Sequence, residues 1–397
     1  MGQLDRWVLT LHDVALPLVT PFRTSLGVET HKRALVLELD TPFGTGWSEC
    51  SADPEPTYGP EFLEGAGLLI RHVLLPRVAA SGARTGQDAR AAMSVVPGNP
   101  LARSAVEMAV LDAQGRAQGQ SLATLLGGSR RQIEVGVSLG IPAGIPDGVD
   151  GPDLGTLMAL VHQHVDEGYR RIKLKVRPGW DVVPVEAVRE EFGPGLVLSV
   201  DANQGYDWHR DDDVDRLRCL DEAGLLMIEQ PFHRDDLVSH ARLGEVLATP
   251  ICLDESIESV GDADAALTLG ACRILNIKPA RVGGYLEARA VHDLAVAHGI
   301  PVWCGGMLET GLARHANMAL ASLPGFTLAG DISGTARYFD EDITAAVRPV
   351  DGLLAVPEGP GLGTEIDRDA LRHVTRSSTT VTITVTTDER GTRTAQS

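Results

Sequence analysis

Aromatic residues are scarce in this chain, at 4% of 397 positions, and there are only five cysteines. Cys50, Cys219, Cys252, Cys272 and Cys304 are odd in number, far apart and without a Cys-x-x-Cys pair. That usage excludes a disulfide framework as the organising device and fits a reducing cytoplasm, the expected location. Positive charge is also short. Against 35 Lys and Arg stand 54 Asp and Glu, a formal net charge of −19. A phosphate backbone would be repelled, so no nucleic-acid partner is expected. No run of 18 apolar residues occurs, and the opening Met1-Gly2-Gln3-Leu4-Asp5-Arg6-Trp7 has no hydrophobic core of signal length, so neither a membrane span nor export is expected. Disorder is excluded as well, because 43% apolar and 22% charged residues are ordinary for a globular chain.

What the chain does have is a series of short apolar segments, each ending in charge. They read Arg171-Ile172-Lys173-Leu174-Lys175-Val176, Val200-Asp201-Ala202-Asn203, Ile228-Glu229-Gln230-Pro231, Cys252-Leu253-Asp254-Glu255 and Leu275-Asn276-Ile277-Lys278-Pro279. Successive intervals from Lys175 to Asp201, Glu229, Asp254 and Lys278 are 26, 28, 25 and 24 positions. Each interval accommodates one strand, one crossover helix and two short loops, the repeat of a (β/α) barrel. A strand buried on both faces should be apolar throughout, so charge recurring at its C-terminal end needs a reason. In a barrel those ends converge on one mouth, where active sites lie.

The rest of the chain fits around that frame. Residues 4–20 and 32–50 carry strand-type residues, Gly44-Thr45-Gly46 marks a turn, and 21–27 forms a polar loop between the two. From about 60 to 125 the apolar spacing turns helical. Residues 133–140 are the first barrel strand, 142–152 a loop, 153–168 a helix and 171–176 the second strand. The segments at 300–306 and 326–331 bring the strand count to eight, the number that closes a barrel. The fold class is therefore α/β, with a (β/α) barrel at 129–335. An α+β capping domain occupies 1–128, 336–375 return to pack on it, and the Ser/Thr-rich 376–397 are expected to be a tail, with an added edge strand at the alternating Val381-Thr382-Ile383-Thr384-Val385 as the alternative.

Asp201, Glu229 and Asp254 close three successive strands. One such carboxylate would be an ordinary loop residue. Three at one mouth repel one another and raise each other's pKa unless a cation holds them together. A hard divalent ion, most simply Mg²⁺, answers that need and keeps positions free for substrate oxygens. Lys173 and Lys175, two apart on a strand, face the same side. With Lys278 four strands on, a lysine stands on each side of whatever sits at the mouth. A carboxylate substrate there would have its α-proton acidified, because positive charge stabilises the enediolate left by a base. Two opposed bases can then invert the centre or assist loss of a β leaving group, and the pattern of residues leaves both open.

These segments resemble the enolase superfamily, and within it the muconate-lactonising-type subgroup, with Lys-x-Lys on the second strand and lysine on the sixth. The resemblance covers roughly residues 1–370 and implies an enolase-type barrel in which Asp201, Glu229 and Asp254 bind Mg²⁺, with Mn²⁺ or Co²⁺ able to substitute. It implies Lys175 and Lys278 as the acid/base pair, with Lys173 helping to neutralise the substrate carboxylate. The mandelate-racemase-type subgroup would place a histidine on the seventh strand, and Trp303-Cys304-Gly305 has none. Three stretches narrow the match to the o-succinylbenzoate synthase and N-acylamino acid racemase group: Pro21-Phe22-Arg23-Thr24-Ser25-Leu26-Gly27, Gly305-Gly306-Met307-Leu308-Glu309-Thr310-Gly311, and Gly330-Asp331-Ile332-Ser333. Dipeptide epimerases would carry Asp-x-Asp where this chain has Asp331-Ile332-Ser333. By this resemblance Phe22, Ser25, Ser138, Asn203, Gly306, Met307, Glu309, Ile332 and Ser333 are expected substrate contacts. The expected activity is racemisation of N-acylamino acids, N-succinyl derivatives especially, with syn-dehydration to o-succinylbenzoate in menaquinone synthesis as the alternative. The expected assembly is a homo-oligomer. A catalytically silent barrel is the reading from a different class, and the complete set of lysines and carboxylates counts against it.

Overall fold

The structure, a computed structural model, describes residues 5–23, 27–142, 153–387 and 392–396. Three strands open the chain: β1 (Asp5–Arg23), β2 (Val28–Thr41) and β3 (Gly44–Cys50). A short β4 (Gln132–Glu134) leads to seven strands, β5 (Gly136–Leu139), β6 (Arg171–Lys175), β7 (Leu198–Asp201), β8 (Ile228–Glu229), β9 (Ile251–Leu253), β10 (Ile274–Ile277) and β11 (Val302–Cys304). Then come β12 (Leu353–Ala355), β13 (Thr375–Thr387) and β14 (Arg393–Gln396). Among the described residues no helix is long and apolar enough to cross a membrane.

Strands β5 to β11 form one parallel sheet in sequence order, with a helix between each successive pair. Val137, Ile172, Val200, Ile228, Leu253 and Leu275 are all buried, as strands covered by a helix layer require. The expected eighth strand, 326–331, is not a continuous strand. It joins the ring through single bridges, Phe326 with Val302 and Gly330 with Val135. Gly136 N donates to Gly330 O (2.7 Å) on one side, and Asp331 N to Cys304 O (3.0 Å) on the other. A Cβ at Gly330 would stand 2.7 Å from Cys304 O, so glycine permits this close seam. The expected first strand also divides, because β4 leaves the ring to pair antiparallel with β12.

The capping sheet is antiparallel, in the order β14-β13-β1-β2-β3. Its alternation buries Trp7, Leu9 and Leu11 against the helix Pro100–Gln118 and its neighbours. Proline at the first turn and a left-handed Gly119 bound that helix.

The tail expected at 376–397 is instead largely strand: β13 (Thr375–Thr387) pairs with β1 from Asp5↔Val385 to Val14↔Thr375. The reason is legible in Val381-Thr382-Ile383-Thr384-Val385. The run alternates, so Ile383 and Val385 share one face and are buried, while the backbone satisfies the open edge of β1.

Cap and barrel meet in buried polar contacts. Glu49, at the end of β3, accepts from Thr310 N (3.1 Å) and Thr310 Oγ1 (2.5 Å), so a cap carboxylate sits at the N-terminus of the helix Gly311–Ala321.

Candidate active site

The parallel register sets Lys175 beside Asp201, and Asp201 beside Glu229. Asp254 directly follows β9 and Lys278 directly follows β10, so all five charged residues arrive at the same mouth. One carboxylate oxygen from each of Asp201, Glu229 and Asp254 lies within 4.8 Å of the others, and all three residues are buried. Their orientation is fixed from behind. Asn276 Nδ2 donates to Glu229 Oε1 (2.8 Å). Gln230 Oε1 accepts from the backbone N–H groups of Asp254 (2.9 Å) and Ser256 (3.2 Å). Arg281 donates to Asp254 Oδ1 and to Asn276 O (2.8 Å).

The three lysines are ion-paired with this cluster. Lys173 Nζ lies 2.8 Å from Glu229 Oε2, 3.1 Å from Asp201 Oδ2 and 2.6 Å from Asp331 Oδ2. Lys175 Nζ donates to Asp201 Oδ2 and Asn203 Oδ1, both at 2.6 Å. Lys278 Nζ donates to Asp254 Oδ2 (2.8 Å). Burial opposes charge on each group, and the balance differs between them. Glu229 is pushed up to about 8 by burial and by the neighbouring Asp201 carboxylate. Burial would also raise Asp201, but the ammonium groups of Lys175 and Lys173 hold it well below the ordinary carboxylate range. Lys173 is held well above the usual lysine value despite burial, chiefly by Asp331 and Glu229.

A cavity of about 500 Å³ opens beside this cluster, walled on the cap side by the start of β2 and the loop at 53–58. Lys175, Lys278, Asn203, Gly306, Met307 and Phe22 line it, so the expected lysine pair and four expected contacts share one space. Four others do not line it. Glu309 accepts from Met307 N (2.6 Å) and Asn317 Nδ2 (3.2 Å), so it shapes the loop after β11, and among the described residues it forms no ion pair with a lysine. Ser138 is buried on β5 opposite Lys173, with no hydrogen-bond partner for its hydroxyl among the described residues. Ser333 turns its carbonyl to Arg314 (2.7 Å), and Ile332 is buried in the barrel core. Ser25 lies outside the described residues.

Several residues at the site were not singled out from the sequence. Asp331 ends the eighth segment and binds Lys173 and Arg171. The signal was present, since a carboxylate at a strand end is the pattern that marked the other three. Asn276 stands two before Lys278, the same spacing that pairs Lys173 with Lys175. Arg281 follows Lys278 by three, on the helix Pro279–Val282. Tyr58, from the cap, has no local signal.

Comparison with known proteins agrees with this geometry. Residues 8–127 match the mandelate racemase / muconate lactonizing enzyme N-terminal domain, and residues 156–370 match the enolase C-terminal domain-like family. An N-succinylamino acid racemase from an Amycolatopsis species is 48% identical over 365 residues, 92% of this chain and 96% of that protein. An o-succinylbenzoate synthase from Bacillus subtilis is 41% identical over 366 residues, 92% and 95% of the two chains. A solved enolase-superfamily structure from Listeria innocua superimposes with a TM-score of 0.88 at 40% identity, covering 96% of this chain and 99% of that one. With both domains matched, the strand-end carboxylates in one cluster and a barrel of the same form, the chain belongs to the mandelate racemase / muconate lactonizing enzyme branch of the enolase superfamily.

Proposed function

We propose that this protein racemises N-acylamino acids, N-succinyl derivatives in particular, with one lysine removing the α-proton and a second delivering a solvent-derived proton to the opposite face. The observation that carries the reading is Lys175 and Lys278, four strands apart around the ring, lining one cavity on either side of a buried carboxylate cluster. The 48% identity to an N-succinylamino acid racemase supports the substrate class.

The donor set suits a hard divalent cation. It offers three carboxylate oxygens within 4.8 Å, and Glu229 carries a raised pKa that added positive charge would relieve. Asp201, Glu229 and Asp254 would hold it, with Mg²⁺ the first choice and Mn²⁺ or Co²⁺ able to substitute. When bound, it supplies the positive charge that makes an enediolate accessible from a substrate carboxylate.

The chain's own residues do the rest. Lys173, kept as an ammonium, adds fixed positive charge beside the substrate carboxylate. One of Lys175 and Lys278, as the neutral amine, takes the α-proton from its face. The other, as an ammonium, returns a proton to the opposite face. Roles exchange for the opposite enantiomer, so each lysine serves as acid and base in turn. Phe22, Met307 and the loop at 53–58 wall the cavity and limit water at the reacting carbon. Under the same reading the enzyme works in the cytoplasm, on a small carboxylate, as a homo-oligomer.

The 41% identity to an o-succinylbenzoate synthase supports a second activity at the same site, syn-dehydration with one lysine as base. The two are separated by incubating Mg²⁺-loaded protein with an N-succinyl-L-amino acid, followed by polarimetry, and with the cyclohexadienyl precursor, followed by aromatic absorbance. Decay of optical rotation to zero is expected with the first. Absence of decay across a panel of N-succinylamino acids, with rapid aromatisation of the second substrate, would reassign the protein as a synthase.

A further inference from the structure

A loop that lines the cavity from the cap side reads Asp53-Pro54-Glu55-Pro56-Thr57-Tyr58-Gly59-Pro60. Three prolines in eight residues restrict its backbone, and it is pinned where Leu63 N donates to Asp53 O (2.8 Å) and Thr57 N to Glu55 O (2.9 Å). A stiff loop of this kind can hold a side chain in one place. Among the residues it brings to the cavity is Tyr58, whose hydroxyl oxygen lies 3.4 Å from Lys278 Nζ, with the ring centroid 5.5 Å from the same nitrogen.

Lys278 has few other restraints. Asp254 Oδ2 takes one N–H at 2.8 Å, and Asp254 itself is claimed on its other oxygen by Arg281. A lysine tethered at a single point can swing about that contact, because its four-carbon stem is flexible. Tyr58 adds a second point from a different direction, by hydroxyl and by ring face. Among the described residues, Lys175 has no cap hydroxyl or ring bound to it, and the cap carboxylate nearest in effect, Glu29 on β2, acts on it through charge alone. Lys175 Nζ is placed by Asp201 and Asn203, both on the barrel.

We propose that Tyr58 is a positioning residue for Lys278, so that the capping domain sets proton transfer on one face of the substrate and leaves the other to the barrel. The inference rests on the racemase reading above. It makes the two half-reactions unequal in what they require of the cap. Abstraction or delivery at the Lys278 face needs Tyr58 in place, whereas the Lys175 face does not. No proton passes through the phenol: Tyr58 keeps its own, and Lys278 exchanges with the substrate carbon and with water.

The test is Tyr58→Phe, which removes the hydroxyl and keeps the ring, with Tyr58→Leu removing both. Each is incubated, Mg²⁺-loaded, in D₂O with the separate enantiomers of one N-succinylamino acid, and α-deuteration is measured alongside inversion. From the enantiomer whose α-hydrogen faces Lys278, deuteration and inversion should fall together, by about 10-fold for Phe and further for Leu. From the other enantiomer, deuteration should persist near the wild-type rate while inversion falls, because the proton leaves normally and is returned by Lys175 before Lys278 can deliver one. A general distortion of the cavity would instead slow deuteration of both enantiomers alike, and that result, or no change in either, overturns the assignment while the wild type still racemises. Failure of the wild type to deuterate either enantiomer overturns the racemase reading, and this assignment with it.

Discussion

Lys175→Ala and Lys278→Ala should each abolish racemisation, by about 10³-fold or more, while the protein remains folded. The size follows from what a positioned acid or base contributes, about 10²–10⁴-fold, with the added cost that inversion needs both faces served. Retention of the fold follows from the ion pairs. Without Lys175, Asp201 keeps Lys173 at 3.1 Å, and without Lys278, Asp254 keeps Arg281. No carboxylate is stranded in the interior, which is the usual reason that removing one partner of a buried pair is destructive. Each variant should keep only the α-proton exchange of the enantiomer facing the remaining lysine. Thermal melts near wild type, with inversion lost in both, is the expected result. Near-normal inversion in either variant would sink the two-base mechanism.

Removal of divalent cations should be comparably severe. The charge that such an ion supplies to a carboxylate substrate is worth several kcal/mol, or about 10³-fold or more in rate. Chelation followed by desalting should therefore silence the enzyme, and added Mg²⁺ should restore it. Glu229→Ala should weaken Mg²⁺ binding measured by calorimetry without unfolding the barrel, because Lys173 retains Asp201 and Asp331. Full activity after exhaustive chelation would contradict the reading of the carboxylate cluster.

The mouth of the barrel was legible because of one physical conflict: a strand buried on both faces has no use for a charge unless its end opens on a site. Lys175, Asp201, Glu229, Asp254 and Lys278 follow from that rule, and the structure brings all five together. The same rule, applied further along, reaches Asp331 and Asn276. What it cannot reach is Tyr58, whose partner is 220 positions away and on another domain, with no periodicity linking the two. Ile332 and Ser333 stand on the right loop, yet the backbone after β11 and the eighth segment turns them into the core or against Arg314. The C-terminal strand is the second choice of the sequence reading, because composition favours a tail. Ser and Thr dominate residues 375–387, and the alternation of three apolar residues becomes decisive only once β1 offers an open edge beside it. Seven ring strands follow from apolar runs, whereas the eighth is held by glycine-dependent contacts at single residues.

The most direct test of the whole account is proton NMR of the Mg²⁺-loaded wild-type enzyme in D₂O with an enantiopure N-succinyl-L-amino acid. The α-proton signal should disappear at least as fast as the D-isomer grows, and the D-isomer formed should carry deuterium at Cα, because the lysine that delivers the proton has exchanged with solvent. Inversion that keeps the original α-proton, or a signal that does not change, would contradict transfer between two solvent-exchanging lysines.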